Sequence, residues 1–277
     1  NVVGMQGYAI SRGFMFDSDF SGIRITPKFG DTAIVGTWAR VNGEYVSELE
    51  VDEDILALEG KIGLGDTGRV TPFFVWHGSN GELGDLNAFY LGVDADIKFG
   101  DASTWGTFIY QGGTNELDED NKGYLFAVGG KISMFHGEFF YASGDDSPLD
   151  GDNDQFLGVP GRSYYWSEIM GFGTFDNQVS AGSPGDAISN VWAFNLGVKA
   201  KVSDAWTLSF DWWYANLAED NLLGNDELGN EFDLKATYKV MDNLNLDLVG
   251  AYLVAGDATG GGDDDPVEIG ARLSLSF

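Results

Sequence analysis

Pro266-Val267-Glu268-Ile269-Gly270-Ala271-Arg272-Leu273-Ser274-Leu275-Ser276-Phe277 alternates strictly. Val267, Ile269, Ala271, Leu273, Leu275 and Phe277 fall on one face, and Glu268, Gly270, Arg272, Ser274 and Ser276 on the other. A period of two predicts a strand with one apolar face.

Working back from this stretch, the same pattern recurs between Gly/Asp/Asn clusters. The predicted strands are 2–9, 20–28, 32–41, 55–64, 69–77, 87–98, 104–112, 123–134, 136–144, 191–201, 206–215, 230–239, 243–255 and 266–277, about fourteen in all. Tight turns at 29–31, 65–68, 99–103, near 135, 202–205 and 240–242 alternate with long polar connections at 42–54, 78–86, 113–122, 145–190, 216–229 and 256–265. The segment 10–19 is a further candidate connection. Short and long in strict alternation is the meander of a transmembrane barrel, with short periplasmic turns and longer extracellular loops. The expectation is all-β: a transmembrane antiparallel up-and-down β-barrel in one domain over 1–277, with a long loop at 145–190. Both termini are then periplasmic, which requires an even strand number. Pro27 and Pro72 fall inside these strands and predict bulges or strand ends, because Pro donates no ladder bond.

Composition agrees. Of 277 residues 40 are Gly, 14% are aromatic and 21% are charged, and no apolar run reaches the roughly 18–20 residues that a membrane helix needs. The apolar faces begin or end in Trp, Tyr or Phe, as at Trp206 and Tyr214, which fits aromatic girdles at the membrane interfaces. Cys is absent, which removes disulfides and thiolate metal sites. A net charge of −29 argues against a nucleic-acid partner. No signal sequence opens at Asn1, as for a mature protein or a fragment.

The charges are segregated. Most of the 44 Asp+Glu lie in the long connections, while most of the 15 Lys+Arg lie on strands. A strand charge facing lipid costs about 2–4 kcal/mol at the midplane, so these bases are expected to face a lumen. The predicted pore-lining set is Arg24, Arg40, Lys61, Asp94, Asp96, Lys98, Lys131, Glu138, Lys199, Asp211, Asp233, Lys235, Asp247 and Arg272. Lys131, Lys199, Lys235 and Arg272 are placed near mid-strand. Glu59, Glu231 and Glu268 join the inward acids. In 145–190, acids come first and a cluster rich in aromatics follows. The loop is too apolar to stay solvated: it is expected to fold into the lumen, with Arg162, Tyr164, Tyr165 and Trp166 as the predicted constriction, or else to latch outward onto a neighbouring subunit.

No catalytic constellation stands out, and no enzyme is expected. The two histidines, His77 and His136, are assigned to opposite ends of a span of about 25 Å. His77 reads as a solvated rim residue. Asp150-Gly151-Asp152-Asn153-Asp154 spaces its oxygens like the start of a calcium loop, but Gln155 stands where that loop needs Gly. Loop-bound calcium is the one candidate cofactor.

Val3-Gly4-Met5-Gln6, then Arg12-Gly13, then Phe16-Asp17-Ser18-Asp19-Phe20-Ser21-Gly22-Ile23-Arg24 resembles an early motif of the alginate-export/porin family of bacterial outer-membrane barrels. Met5 stands where that pattern has Arg. The alternating last strand ending in Phe277 resembles the final strand of such barrels, where it engages the barrel assembly machinery. The resemblance implies outer-membrane lipid and lipopolysaccharide as surroundings. The function expected is a porin passing small hydrophilic or charged solutes and ions. An exporter of an anionic polysaccharide such as alginate is the alternative, and a structural or adhesive barrel with acidic binding loops is a third. A homo-oligomer is the candidate quaternary state.

Overall fold

The computed structural model describes residues 1–42, 52–80, 85–147, 150–159, 164–175, 188–259 and 264–276. Phe277 and Arg162, two of the residues singled out above, lie outside them, as does the acidic stretch 43–51. The described residues hold seventeen strands. Three of these are two-residue pieces, Lys28–Phe29, Asp120–Asn121 and Asp152–Asn153. The other fourteen are β1 (Val2–Ile10), β2 (Phe16–Ile25), β3 (Thr32–Asn42), β4 (Asp52–Gly63), β5 (Gly68–Asn80), β6 (Asp85–Phe99), β7 (Ala102–Thr114), β8 (Tyr124–Ile132), β9 (Phe135–Ala142), β10 (Val191–Lys201), β11 (Trp206–Leu217), β12 (Glu227–Met241), β13 (Leu244–Ala255) and β14 (Val267–Leu275).

The chain divides into two compact units, 1–128 with 142–164, and 129–141 with 165–277. In the first, β1 to β7 form an antiparallel meander, each strand laddered to the next, with registers such as Val35↔Glu59 and Asp94↔Thr107. In the second, β10 to β14 repeat the arrangement, with Asn195↔Trp213, Asp211↔Asp233 and Asp247↔Arg272 opposite one another. The turn between β6 and β7 needs only residues 100–101, because Gly100 takes a left-handed conformation at φ 59°, which suits a two-residue hairpin.

Within each unit the two faces are inverted relative to a soluble sheet. Leu58 on β4, Leu234 on β12 and Ile269 on β14 are 53%, 58% and 85% exposed. Their neighbours Glu59, Glu231 and Glu268 are 4%, 0% and 5% exposed. On these strands the outward face is apolar, and the inward face buries carboxylates beside apolar residues such as Ile55 on β4 and, on the neighbouring β13, Leu253. A water-soluble fold would pay heavily for that arrangement.

The structure departs from two expectations. The segment 10–19 is not a long connection. Ile10 already pairs with Phe16, and the link is a buried corner made possible by positive φ at Ser11, Arg12 and Gly13. Pro72 is neither a bulge nor a strand end. It sits inside β5, paired with Val93 of β6, and the β4–β5 register runs unshifted from Glu59↔Phe73 to Ile62↔Val70, skipping the pairs beside the missing N–H. Pro27 does mark a strand end, between β2 and Lys28–Phe29.

Candidate functional site: the polar face of the sheet

In the first unit, β1 to β5 and the turns beside them converge on a cavity of about 810 Å³ lined by Arg24, Lys28, Lys61 and Arg69, with Asp17 and Asp31. At its edge the Tyr8 hydroxyl donates to buried Glu59, Lys61 Nζ lies 3.5 Å from the same carboxylate, and the Arg24 guanidinium sits 5.1 Å from the centre of the Tyr8 ring. Glu59 is thus satisfied by a donor and a cation, as a buried carboxylate must be. The 11–15 corner makes a second polar knot. Ser11 Oγ and Thr107 Oγ1 each donate to Asp94 Oδ1 at 2.7 Å, and Arg12 meets Asp96 at 2.5 Å while lying over Trp105. Phe14, from the same corner, stacks on Tyr164 with centroids 3.7 Å apart.

In the second unit, Asp211 accepts from Asn195 Nδ2 at 3.1 Å and pairs with His136 at 2.7 Å. Asp247 accepts from Thr237 and lies 3.6 Å from Arg272 and 4.0 Å from Lys235. Those two bases also hold Thr174, Arg272 through its carbonyl at 2.5 Å and Lys235 through its hydroxyl at 3.0 Å. Trp166 is buried between Phe140 and Trp213, with centroids 5.1 and 5.4 Å away. Tyr165, Phe172 and Thr174 from the segment join Asp211, Lys235 and Arg272 from the wall around a cavity of about 560 Å³.

Of the residues expected on the polar face, Arg24, Lys61, Asp94, Asp96 and Lys98 share it in the first unit. Lys131, Glu138, Lys199, Asp211, Asp233, Lys235, Asp247 and Arg272 share it in the second. Arg40 does not. It follows the phase of the exposed Ile34 and Trp38 and pairs with Asp54 on the outward face. Lys131 is not near mid-strand; it is the penultimate residue of β8, beside a tight turn. His77 is not solvated either. It is 3% exposed, with Nε2 3.3 Å from Glu53 Oε2. Three side chains of the calcium-like stretch have partners within the chain. Asp152 pairs with Lys122, Asp150 accepts the Asp152 N–H, and Asn153 accepts the Gln155 N–H. Among the described residues no cluster of three His, Asp or Glu is arranged to hold a metal ion.

Sequence reasoning placed Glu231 on the polar face but missed its role. Its carboxylate accepts the N–H groups of Glu168, Ile169 and Met170. Only the period-two pattern pointed to it, and that pattern shows a direction without showing a partner.

No protein-family model matches the chain. No curated protein matches it either. Solved structures from Pseudomonas aeruginosa do. OccD3 (OpdP) is similar with a TM-score of 0.59 at 13% identity, over 99% of this chain and 74% of that one. OpdK with vanillate is similar with a TM-score of 0.58 at 12% identity, over 99% and 74%. The outer membrane protein OprD is similar with a TM-score of 0.55 at 10% identity, over 94% and 70%. The fold of the chain is that of these outer-membrane antiparallel β-barrels. They belong to the OprD/Occ group of porins, a different family from the alginate-export porins, and the resemblance of residues 3–24 to the latter is not supported by them.

Proposed function

We propose that this chain is a passive channel of the bacterial outer membrane, admitting small hydrophilic or charged solutes, and not an enzyme. The observation that carries the reading is the inversion of faces. Leu58, Leu234 and Ile269 are exposed on the strands that bury Glu59, Glu231, Asp233 and Glu268, and Asp247 is buried on the strand between the last two. Lipid outside and a hydrated lumen inside satisfy both faces at once. In this reading the polar-face residues named above line the pore, and the segment holding Tyr165 and Trp166 narrows it. The tight turns lie on the periplasmic side and the long acidic connections face lipopolysaccharide.

Arg24, Lys28, Lys61 and Arg69 around one cavity support a preference for anionic solutes. OpdK, one of the similar structures, was solved with vanillate, a small aromatic carboxylate. The same bases are what favours the second reading, export of an anionic polysaccharide. Liposome swelling separates the two. Vesicles carrying the protein should swell with small sugars, amino acids and benzoate-sized anions, and be indifferent to uronate oligomers. No swelling with any small solute contradicts the channel; entry of the oligomers favours the exporter.

A further inference from the structure

We infer that Glu231 is the residue that sets the bore of the channel, by seating residues 165–175 on the polar face of the second unit. The inference rests on the channel reading above.

The segment is closed on itself. The Glu168 carboxylate accepts both the N–H and the hydroxyl of Thr174, at 2.5 and 2.7 Å, and the Tyr165 and Phe172 rings meet edge to face at 5.2 Å. A loop stapled at both ends in this way moves as one body. What fixes it to the wall is then decisive. Glu231 is fully buried. Its Oε1 accepts the N–H of Glu168 at 2.6 Å and of Ile169 at 2.7 Å, and its Oε2 accepts the N–H of Met170 at 2.8 Å. Three successive backbone donors around one carboxylate form an anion nest, and charge-assisted bonds of this length are the strong kind.

Two other polar attachments are replaceable. Lys235 and Arg272 hold Thr174, but both also lie near Asp247, so each keeps a carboxylate partner if the segment leaves. Glu231 accepts all three N–H groups of 168–170, so removing it takes a carboxylate from three backbone donors in a buried place, a costly loss. Glutamine at 231 presents an amide N–H₂ where one of the donors points, so it satisfies the nest only in part. The segment and the wall share the 560 Å³ cavity, so a displaced segment changes the width available to a solute.

The test compares wild type with Glu231→Ala, Glu231→Gln and a control, Leu234→Ala, on the outward face of the same strand. Two readouts are taken on protein shown to be folded by its heat-dependent gel mobility: single-channel conductance, and cleavage within 165–175 by a broad-specificity protease. Glu231→Ala should raise mean conductance about 2-fold or replace steady openings by flicker between levels. Cleavage should rise about 10-fold or more as the segment detaches. Glu231→Gln should fall between, and Leu234→Ala should match wild type in both. If Glu231→Ala does not fold, Glu231→Gln carries the comparison. Folded variants with wild-type conductance and wild-type cleavage overturn the proposal. Should wild type itself fail to conduct, the channel reading falls, and the cleavage readout still decides whether Glu231 seats the segment.

Discussion

Arg40 and Asp54 lie side by side on the outward face of β3 and β4, joined by two parallel bonds, Nε to Oδ1 at 3.0 Å and Nη2 to Oδ2 at 2.8 Å. Trp38 lies beneath the guanidinium, 5.9 Å from ring centre to the charge. The pair sits at the strand ends that lead into residues 43–51, where an interfacial Trp and a neutralised charge are both at home.

Arg40 should therefore be silent in conduction. Replacing Arg40 by Gln is expected to leave the reversal potential in a salt gradient unchanged and to cost about 1 kcal/mol of stability, because the pair is partly exposed. A shift in reversal potential would place Arg40 in the current path after all.

Arg24, Lys28, Lys61 and Arg69 should act in the opposite way. Neutralising Arg24 and Lys61 together is expected to move the reversal potential toward cations at low salt, with the effect fading as salt rises. Lys61 is also a partner of buried Glu59, so Lys61→Met alone should lose more stability than Lys28→Met. An unchanged potential in the double variant means the ions take another route.

The connection before β14 contains an acid-sensitive fastening. Asp265 accepts the Tyr252 hydroxyl at 2.6 Å and the Ala255 N–H at 3.0 Å, and these bonds, the hydroxyl first, hold its carboxyl below the usual aspartate range. A lowered value in the folded state means the contact stabilises at neutral pH and is lost as pH falls through that value, below about 3.9. Hydrogen exchange at Ala255 should be slow at pH 5 and accelerate only in stronger acid. Tyr252→Phe should bring the loss to higher pH. Exchange independent of pH after correction for intrinsic rates would contradict this.

A closed sheet in lipid pairs all its backbone groups and resists detergent. The protein should run at different positions before and after boiling in SDS, with a β-rich circular dichroism spectrum in the unboiled state. Identical mobility and a helical spectrum would count against the fold.

Most of the architecture was legible because lipid imposes a period of two on one face of every strand, and the turn lengths alternate. The β14 stretch already shows it: Ile269 out, Glu268 in. Arg40 was misplaced because the cost of a charge in lipid was weighed above its phase, although Arg40 shares the parity of Ile34 and Trp38. A charge near a strand end escapes that cost. The 11–15 corner was hidden by its polarity. Ser11 and Arg12 look like loop residues, yet they are tied to Asp94 and Asp96, far away in sequence. Glu231 shows the same limit: its partners are backbone N–H groups about sixty positions away, which no side-chain pattern displays.

The most direct measurement is single-channel recording of the purified, heat-modifiable protein in a planar lipid bilayer. Discrete, ohmic conductance steps are expected, with a reversal potential in a salt gradient that responds to neutralisation of Arg24 and Lys61. A folded preparation that inserts into the bilayer and never produces a step would contradict the channel.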